Sequence, residues 1–446
     1  MTSSIASRLE RLPLCGFHHR FIALIALGGW FDLYDIFMMA YVGAALQTSG
    51  FLTLAQFSRM VAAGFLGMFV GTVALGIASD AFGRRTAFMW MLLGYSLATL
   101  AGAFAPDARF LLVTRFLAGV GVGAELVVID TYVTEMVPRR ARGRYVAFAL
   151  LIGFTAVPAA ALFSSLLIPT HFLLAGWRWV MIIGSAGALF VWHIRRRLPE
   201  SPRWLEAHGR TVEAEAAINS IETEVALRTG APLPMAEPAE VETAHRLPLG
   251  ELWRAEYRGR TLMLMVFHLL QTVGVYGFAN WAPTFMLRQG EDLQHSLHYG
   301  FLMAVVSPVG PLIAVLTAER LERKWALVGL SLAMALTGLA FPAARSGAAI
   351  VTIGALMTIF SYWFSAVFHA YQAELFPTRA RATGVGFTYG WSRLSAVFSS
   401  LLIGVLLGHG VWAVFFFIAA AMAGAALVVA LFGPRTNAAA LEDISR

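Results

Sequence analysis

The chain has 446 residues, of which 58% are hydrophobic and only 13% charged, about half the charged share of a soluble globular protein; its mean hydropathy is +0.69. A net charge of +7 would point a soluble protein toward nucleic acid, but here the arginines sit in short clusters between apolar runs, the pattern of loop charges in a polytopic membrane protein. One cysteine, Cys15, excludes an internal disulfide, and the absence of a nucleophile–base set, metal-ligand cluster or phosphate loop argues against an enzyme or a bound cofactor.

A span needs about 20 mostly apolar residues. Arg8, Arg11 and Arg20 precede the first such run, Phe21–Leu46. It is too long for a signal-peptide core and contains Asp32 and Asp35, so it reads as a retained first helix. The two acids share a helix face and lie near or past mid-membrane. The next predicted spans are Ala55–Ala78, Thr86–Ala105, Phe110–Val137 (with Arg115, Glu125 and Asp130), Tyr145–Pro169 and Trp177–Ile194. The polar stretch 195–260 reads as a central loop. It is expected to hold a short surface helix over Thr211–Leu227 and a linker containing Pro232, Pro234 and Pro238. Then come Thr261–Leu287 (with His268, Gln271, Tyr276 and Asn280), His298–Ala318, Trp325–Pro342, Gly347–Ala373 (with His369), Gly384–Leu407 (with Arg393) and Val411–Phe432.

These spans predict an all-α integral membrane fold of about twelve transmembrane helices. Residues 1–194 would form one six-helix bundle and 261–446 a second bundle with a short tail. Arginine and lysine are concentrated in alternate loops, at Arg84, Arg85, Arg139, Arg140, Arg142, Arg144, Arg320, Arg323, Lys324, Arg379 and Arg381. The positive-inside rule makes that side cytoplasmic, and an even helix count puts both termini there. The chain also repeats itself. Tyr132-Val-Thr-Glu135-Met-Val-Pro138-Arg-Arg140-Ala-Arg142 matches Tyr371-Gln-Ala-Glu374-Leu-Phe-Pro377-Thr-Arg379-Ala-Arg381 at six of eleven positions. Asp80, Arg84 and Arg85 map onto Glu319, Arg323 and Lys324 at the same separation, as two duplicated halves would.

Three features resemble the major facilitator superfamily: Gly76-Ile-Ala-Ser-Asp80-Ala-Phe-Gly83-Arg84-Arg85 between helices 2 and 3, Glu135…Pro138…Arg142-Gly143 after helix 4, and Pro199-Glu200-Ser201-Pro202-Arg203 after helix 6. They are most similar to its sugar-porter-like branch. Glu374-Leu-Phe-Pro377-Thr-Arg379-Ala-Arg381 is similar to its metabolite:proton symporter relatives. The resemblance implies two pseudo-symmetric six-helix bundles around a central cavity. It also implies a gating network at the cytoplasmic helix ends, drawn from Gly76, Asp80, Gly83, Arg84, Arg85, Glu135, Arg142, Glu374 and Arg381.

Charges within spans carry the functional expectation, because an ionised group there must pair or face a cavity. Asp35 is expected to pair with Arg115, a pairing that sugar-porter-like relatives make; with Asp32 it would couple transport to protons. Arg393, deep in helix 11 with no obvious acid nearby, is expected to meet a substrate carboxylate. Glu125, Gln271, Tyr276, Asn280 and His369 complete the expected substrate contacts. Compared with hexose porters, helix 7 keeps one glutamine, Gln271, and lacks their asparagine, while Tyr276, Trp281, Tyr362, Trp363, Tyr389 and Trp391 suggest an aromatic wall. The reading is a monomeric, proton-coupled importer of a small organic anion, such as an aromatic carboxylate, in a bacterial inner membrane, with the lipid bilayer, protons and a small-molecule substrate as its partners. The alternatives are a sugar or polyol transporter, a proton-driven drug exporter or a non-transporting sensor.

Overall fold

The computed structural model describes residues 5–196, 198–235, 249–317, 320–376 and 378–436; within these, the side chains of 75–77, 80, 124–131, 134, 139–140, 143, 147, 150, 194–195 and 378–382 lie outside the description. No strand forms among the described residues. A lipid-spanning backbone satisfies its own N–H and C=O groups, which a helix does within one segment. The spans are α1 Gly16–Thr48, α2 Leu54–Phe82, α3 Arg84–Ala103, α4 Ala108–Met136, α5 Arg139–Phe154 continued by Ala156–Leu167, α6 Gly176–Arg195, α7 Ala255–Ala279, α8 Leu293–Val305 continued by Val309–Thr317, α9 Arg323–Ala340, α10 Gly347–Glu374, α11 Thr378–Leu406 and α12 Val411–Phe432. Ten stretches of the described residues are long and apolar enough to cross a membrane. Helices α4 and α6, each of which includes side chains outside the description, complete the twelve. Both α1 and α7 begin several residues earlier than the hydropathy pattern suggests.

The helix starts report the duplication directly. Gly16 and Ala255, Leu54 and Leu293, Arg84 and Arg323, Ala108 and Gly347, and Arg139 and Thr378 open equivalent helices, each pair separated by the same distance along the chain as Tyr132 and Tyr371. The starts at one membrane face share a device too. Thr53 caps α2 through the Gln56 N–H, Asp107 caps α4 through Phe110, Asp292 caps α8 through His295, and Ser346 caps α10 through Ala349. Each satisfies one of the free N–H groups that a helix start leaves.

Helices α2 and α4 meet backbone to backbone. A Cβ on Gly67 would stand 2.1 Å from the Phe116 carbonyl, one on Gly71 1.9 Å from that of Val120, one on Gly119 2.1 Å from that of Gly64, and one on Gly123 2.1 Å from that of Met68. Residues with side chains could not approach this closely, so these glycines act in packing. The halves touch through α2 with α11 and through the first segment of α8 with the second segment of α5. Gln47 donates to Thr284 at 3.1 Å, Tyr41 donates to the Gly300 carbonyl at 3.3 Å, and Phe57 meets Trp281 edge-on at 4.8 Å. These contacts lie toward the membrane face that carries the 49–53 turn.

At the opposite face the helix Ile5–Glu10 docks on Thr211–Thr229, the surface helix expected in the central stretch. Ile5 and Leu9 bury against a face that includes Ile218, Ile221 and Val225. Around this seam Arg8 pairs with Glu215 at 2.6 Å and Glu222 at 2.5 Å, and Arg11 pairs with Glu222 at 2.6 Å. Burial works to raise the Glu222 pKa, but the hydrogen bonds from Arg8 and Arg11 outweigh it and hold the group below its ordinary value. Pro238 of the expected linker lies outside the described residues.

Candidate functional site

Among the described residues, Arg115 and Arg393 are buried within the helix bundle, one in each half, away from Arg84, which is buried at a helix end. Arg115 on α4 reaches Asp35 on α1, with its Nη1 3.2 Å from Oδ1 and 3.1 Å from Oδ2. Thr99 of α3 completes the cluster: its hydroxyl donates to Asp35 Oδ1 at 2.8 Å and accepts from Arg115 Nη2 at 2.7 Å. A buried pair holds its charges only when further hydrogen bonds satisfy the remaining atoms, and Thr99 provides two of them. Asp32, one turn earlier on α1, is fully buried. The structure thus brings Asp35 and Arg115 together. Nothing in the sequence singled out Thr99, a hydroxyl on an otherwise ordinary apolar helix.

Arg393 on α11 is equally buried, at 4% exposure, but no carboxylate among the described residues pairs with it. Its Nη1 donates to the Tyr276 hydroxyl at 3.2 Å. The guanidinium carbon lies 5.8 Å from the Tyr276 ring centre and 5.5 Å from that of Tyr389, within the range of weak cation–π attraction. Tyr276 in turn meets Phe65 of the first half edge-on at 5.1 Å, which places the arginine beside the seam between the bundles. Tyr362 packs against Phe154 at 5.1 Å and Phe37 at 6.4 Å across the same seam. Its hydroxyl, the Trp363 Nε1 and the Asn280 Nδ2 are buried atoms that meet no partner among the described residues.

The other expected contacts on α7 and α10 form one connected group. Gln271 Nε2 lies 3.0 Å from Thr272 Oγ1 and 3.5 Å from His268 Nδ1. His268 Nε2 lies 2.9 Å from Gln372 Oε1, and Gln372 Nε2 lies 3.1 Å from His369 Nδ1. His369 is exposed although Phe368 and Gln372 beside it are buried, and its ring lies 5.5 Å from Tyr389. Gln372 was missed in the sequence reading. The signal available was its departure from the repeat, since Val133 holds the matching position in the first half. The Glu125 side chain lies outside the described residues.

The described members of the expected gating set lie at the face with the docked N-terminal helix. Arg84 pairs with Glu135 at 3.0 Å, and Arg323 pairs with Glu374 at 3.2 Å, so the two repeats make the same bond. Tyr132 and Tyr371 repeat as well, donating their hydroxyls to the Pro199 and Pro434 carbonyls. Glu200 accepts from the backbone N–H groups of Arg84 at 2.9 Å and Arg85 at 3.0 Å, capping α3 from a distant part of the chain. Gly83 makes room for it. Its φ of +98° suits glycine, and a Cβ there would stand 2.5 Å from Glu200 Oε2. The Arg85 side chain reaches the Arg196 carbonyl. Arg142 pairs with Glu10 at 2.9 Å, and Glu10 also takes Arg203 at 2.7 Å. Glu10 and Glu200 are therefore members of the network that the sequence reading left without a role. The side chains of Gly76, Asp80 and Arg381 lie outside the described residues.

Comparison with known proteins identifies the family. The profile of the family described as sugar (and other) transporter covers residues 21–446. A Bacillus subtilis chain named as a metabolite transport protein, YyaJ, is 34% identical over 98% of this chain and 96% of its own length. The niacin transporter NiaP of Acinetobacter baylyi is 32% identical over 99% of both. More distant relatives include the gallate transporter and the 4-hydroxybenzoate transporter PcaK of Pseudomonas putida, each 27% identical over about nine-tenths of both chains. Among solved structures, the xylose transporter XylE of Escherichia coli in a partially occluded inward-open conformation superposes with a TM-score of 0.75, at 19% identity over 94% of this chain and 98% of that one, so the fold is shared. The chain is a multi-pass membrane transporter rather than an enzyme, and it belongs to the sugar (and other) transporter family of the major facilitator superfamily.

Proposed function

We propose that this chain imports a small aromatic carboxylate together with protons, in a bacterial inner membrane with both termini cytoplasmic and as a monomer built of two bundles joined by the 195–260 segment. The observation that carries the reading is Arg393: a buried guanidinium beside the seam between the halves, flanked by two tyrosine rings and paired with no carboxylate among the described residues. An unpaired cation in that setting is costly, and an incoming carboxylate offers a bidentate, charge-assisted partner. The names of relatives that carry niacin, gallate and 4-hydroxybenzoate support the same class. Asp35 supplies the coupling: protonation releases Arg115 and Thr99, and helices α1, α3 and α4 are then free to shift against one another.

A sugar or polyol is the second reading, supported by the family description and by the partnerless Asn280 amide, which could serve a neutral hydroxyl. Uptake of labelled benzoate into vesicles, driven by an imposed pH gradient, tests the choice. Uptake lost in Arg393→Ala and competed by other carboxylates fits an organic anion. Competition by sugars alone moves the assignment to the second reading.

A further inference from the structure

The hydrogen bonds running from α7 to α10 have a direction. Thr272 donates its hydroxyl proton to the His268 carbonyl at 2.8 Å and shares a further bond with Ser392 at 2.9 Å, so its oxygen accepts from the Gln271 amide nitrogen. That same nitrogen faces His268 Nδ1, which must then carry a lone pair. The proton of neutral His268 is therefore on Nε2, where it donates to Gln372 Oε1. The Gln372 amide can present an oxygen on one side only, so its N–H₂ faces His369 Nδ1. His369 accepts there, which leaves its own proton on Nε2, the edge not used by the chain. Every bond from Gln271 to His369 points the same way. His369 is the exposed end of the series, and Tyr389 lies about equally far from its ring and from the Arg393 guanidinium, at 5.5 Å in both cases.

We propose that this polarised chain makes His369 a fixed hydrogen-bond donor that reads the far side of the aromatic acid held by Arg393, with Gln372 as the positioning residue. The proposal rests on the carboxylate reading of Arg393. It adds a substrate class: aromatic acids with an acceptor atom remote from the carboxylate, such as a ring nitrogen, rather than plain benzenoid acids. A ring nitrogen replacing a ring C–H adds an acceptor with almost no change of shape, so the difference in affinity isolates this one bond.

The test measures equilibrium binding of benzoate, pyridine-3-carboxylate and pyridine-4-carboxylate to the purified full-length protein. At least one pyridine acid should bind about three- to tenfold more tightly than benzoate, the worth of one net hydrogen bond. In His369→Phe this preference should vanish, with an unchanged thermal unfolding curve of the ligand-free variant as the folding control. His369→Gln, whose amide nitrogen reaches a similar point, should restore part of the preference. Gln372→Leu should reduce it with His369 still in place, because the imidazole is then free to turn its lone pair outward. A pyridine preference that survives in His369→Phe, or a wild-type protein that binds benzoate as well as both pyridine acids, overturns the inference and leaves the Arg393 reading intact. Failure of the wild-type protein to bind any of the three overturns the Arg393 reading and this inference with it.

Discussion

The two halves share helices and latches but not chemistry. At the separation that relates Tyr132 to Tyr371, the Arg84–Glu135 pair recurs as Arg323–Glu374, and both tyrosines bond a proline carbonyl just after the last helix of their half. The buried charges do not recur. Gly274 and Gly354 stand where the first half has Asp35 and Arg115, and methionine sulfurs fill the space: Cβ atoms on these glycines would lie 2.2 Å from Met422 Sδ and 1.8 Å from Met303 Sδ. Conversely, Phe154 occupies the first-half counterpart of Arg393 and packs on Tyr362. Duplication preserved the helix-end ion pairs of each half. Divergence then gave one half an arginine paired with an acid and the other an arginine that meets no carboxylate among the described residues.

The contrast breaks most sharply at Asp35. Asp35→Asn is expected to bring uphill accumulation in vesicles to background while counterflow exchange continues, because Arg393, the proposed substrate contact, lies in the other half. Continued accumulation against a gradient would remove Asp35 from coupling. The next largest effect separates the two arginines. Arg115→Met strands a buried carboxylate, and breaking such a pair costs about 3–5 kcal/mol, which thermal unfolding of the purified protein would report. Arg393→Met strands no acid among the described residues and should leave unfolding nearly unchanged while abolishing ligand binding. Equal destabilisation by both would mean that Arg393 has a structural partner after all.

Smaller effects probe what the halves have in common. Glu135→Gln and Glu374→Gln remove equivalent, partly buried ion pairs, so each should slow turnover by about tenfold or less with Kd unchanged, since such a pair is worth about 1 kcal/mol. A change in affinity without a change in rate would place these residues at the binding site instead. The weakest expected effect belongs to the docked N-terminal helix. Glu222 is held below its ordinary pKa by Arg8 and Arg11. The stabilisation is therefore complete above the unfolded value of about 4.3 and is lost as pH falls through the lower folded one. Protease protection of the N-terminus should fade below about pH 4 in the wild type and be absent at neutral pH in Glu222→Gln, and unchanged protection would show that apolar packing of Ile5 and Leu9 suffices.

Much of this was legible in the sequence, for physical reasons. Spans are visible because lipid admits only long apolar helices, and the repeat is visible because loop charges sit at fixed offsets. Asp35, Arg115 and Arg393 stood out because a charge inside an apolar run is expensive. Thr99, Gln372 and Glu10 did not, and Glu200 stood only within a family motif, without a role. A threonine or glutamine costs little wherever it sits, and an acid in a polar loop gives no hint of which distant helix end it will cap. Hydropathy also placed the starts of α1 and α7 too late, because the extra turns of both carry charged or polar residues such as Arg20, Glu256, Arg258 and Arg260 that a hydropathy window rejects.

The central claim is that Arg393 is completed by the carboxylate of the substrate. Binding of benzoate and benzamide to the wild-type protein and to Arg393→Lys tests it most directly. The wild type should prefer benzoate by about 10- to 100-fold, the worth of a charge-assisted contact. Arg393→Lys should keep the sign of that preference and weaken benzoate by about tenfold, because an ammonium lacks the planar fork. Equal binding of the acid and its amide by the wild type, or unchanged benzoate affinity in the variant, would contradict the account and favour a neutral substrate.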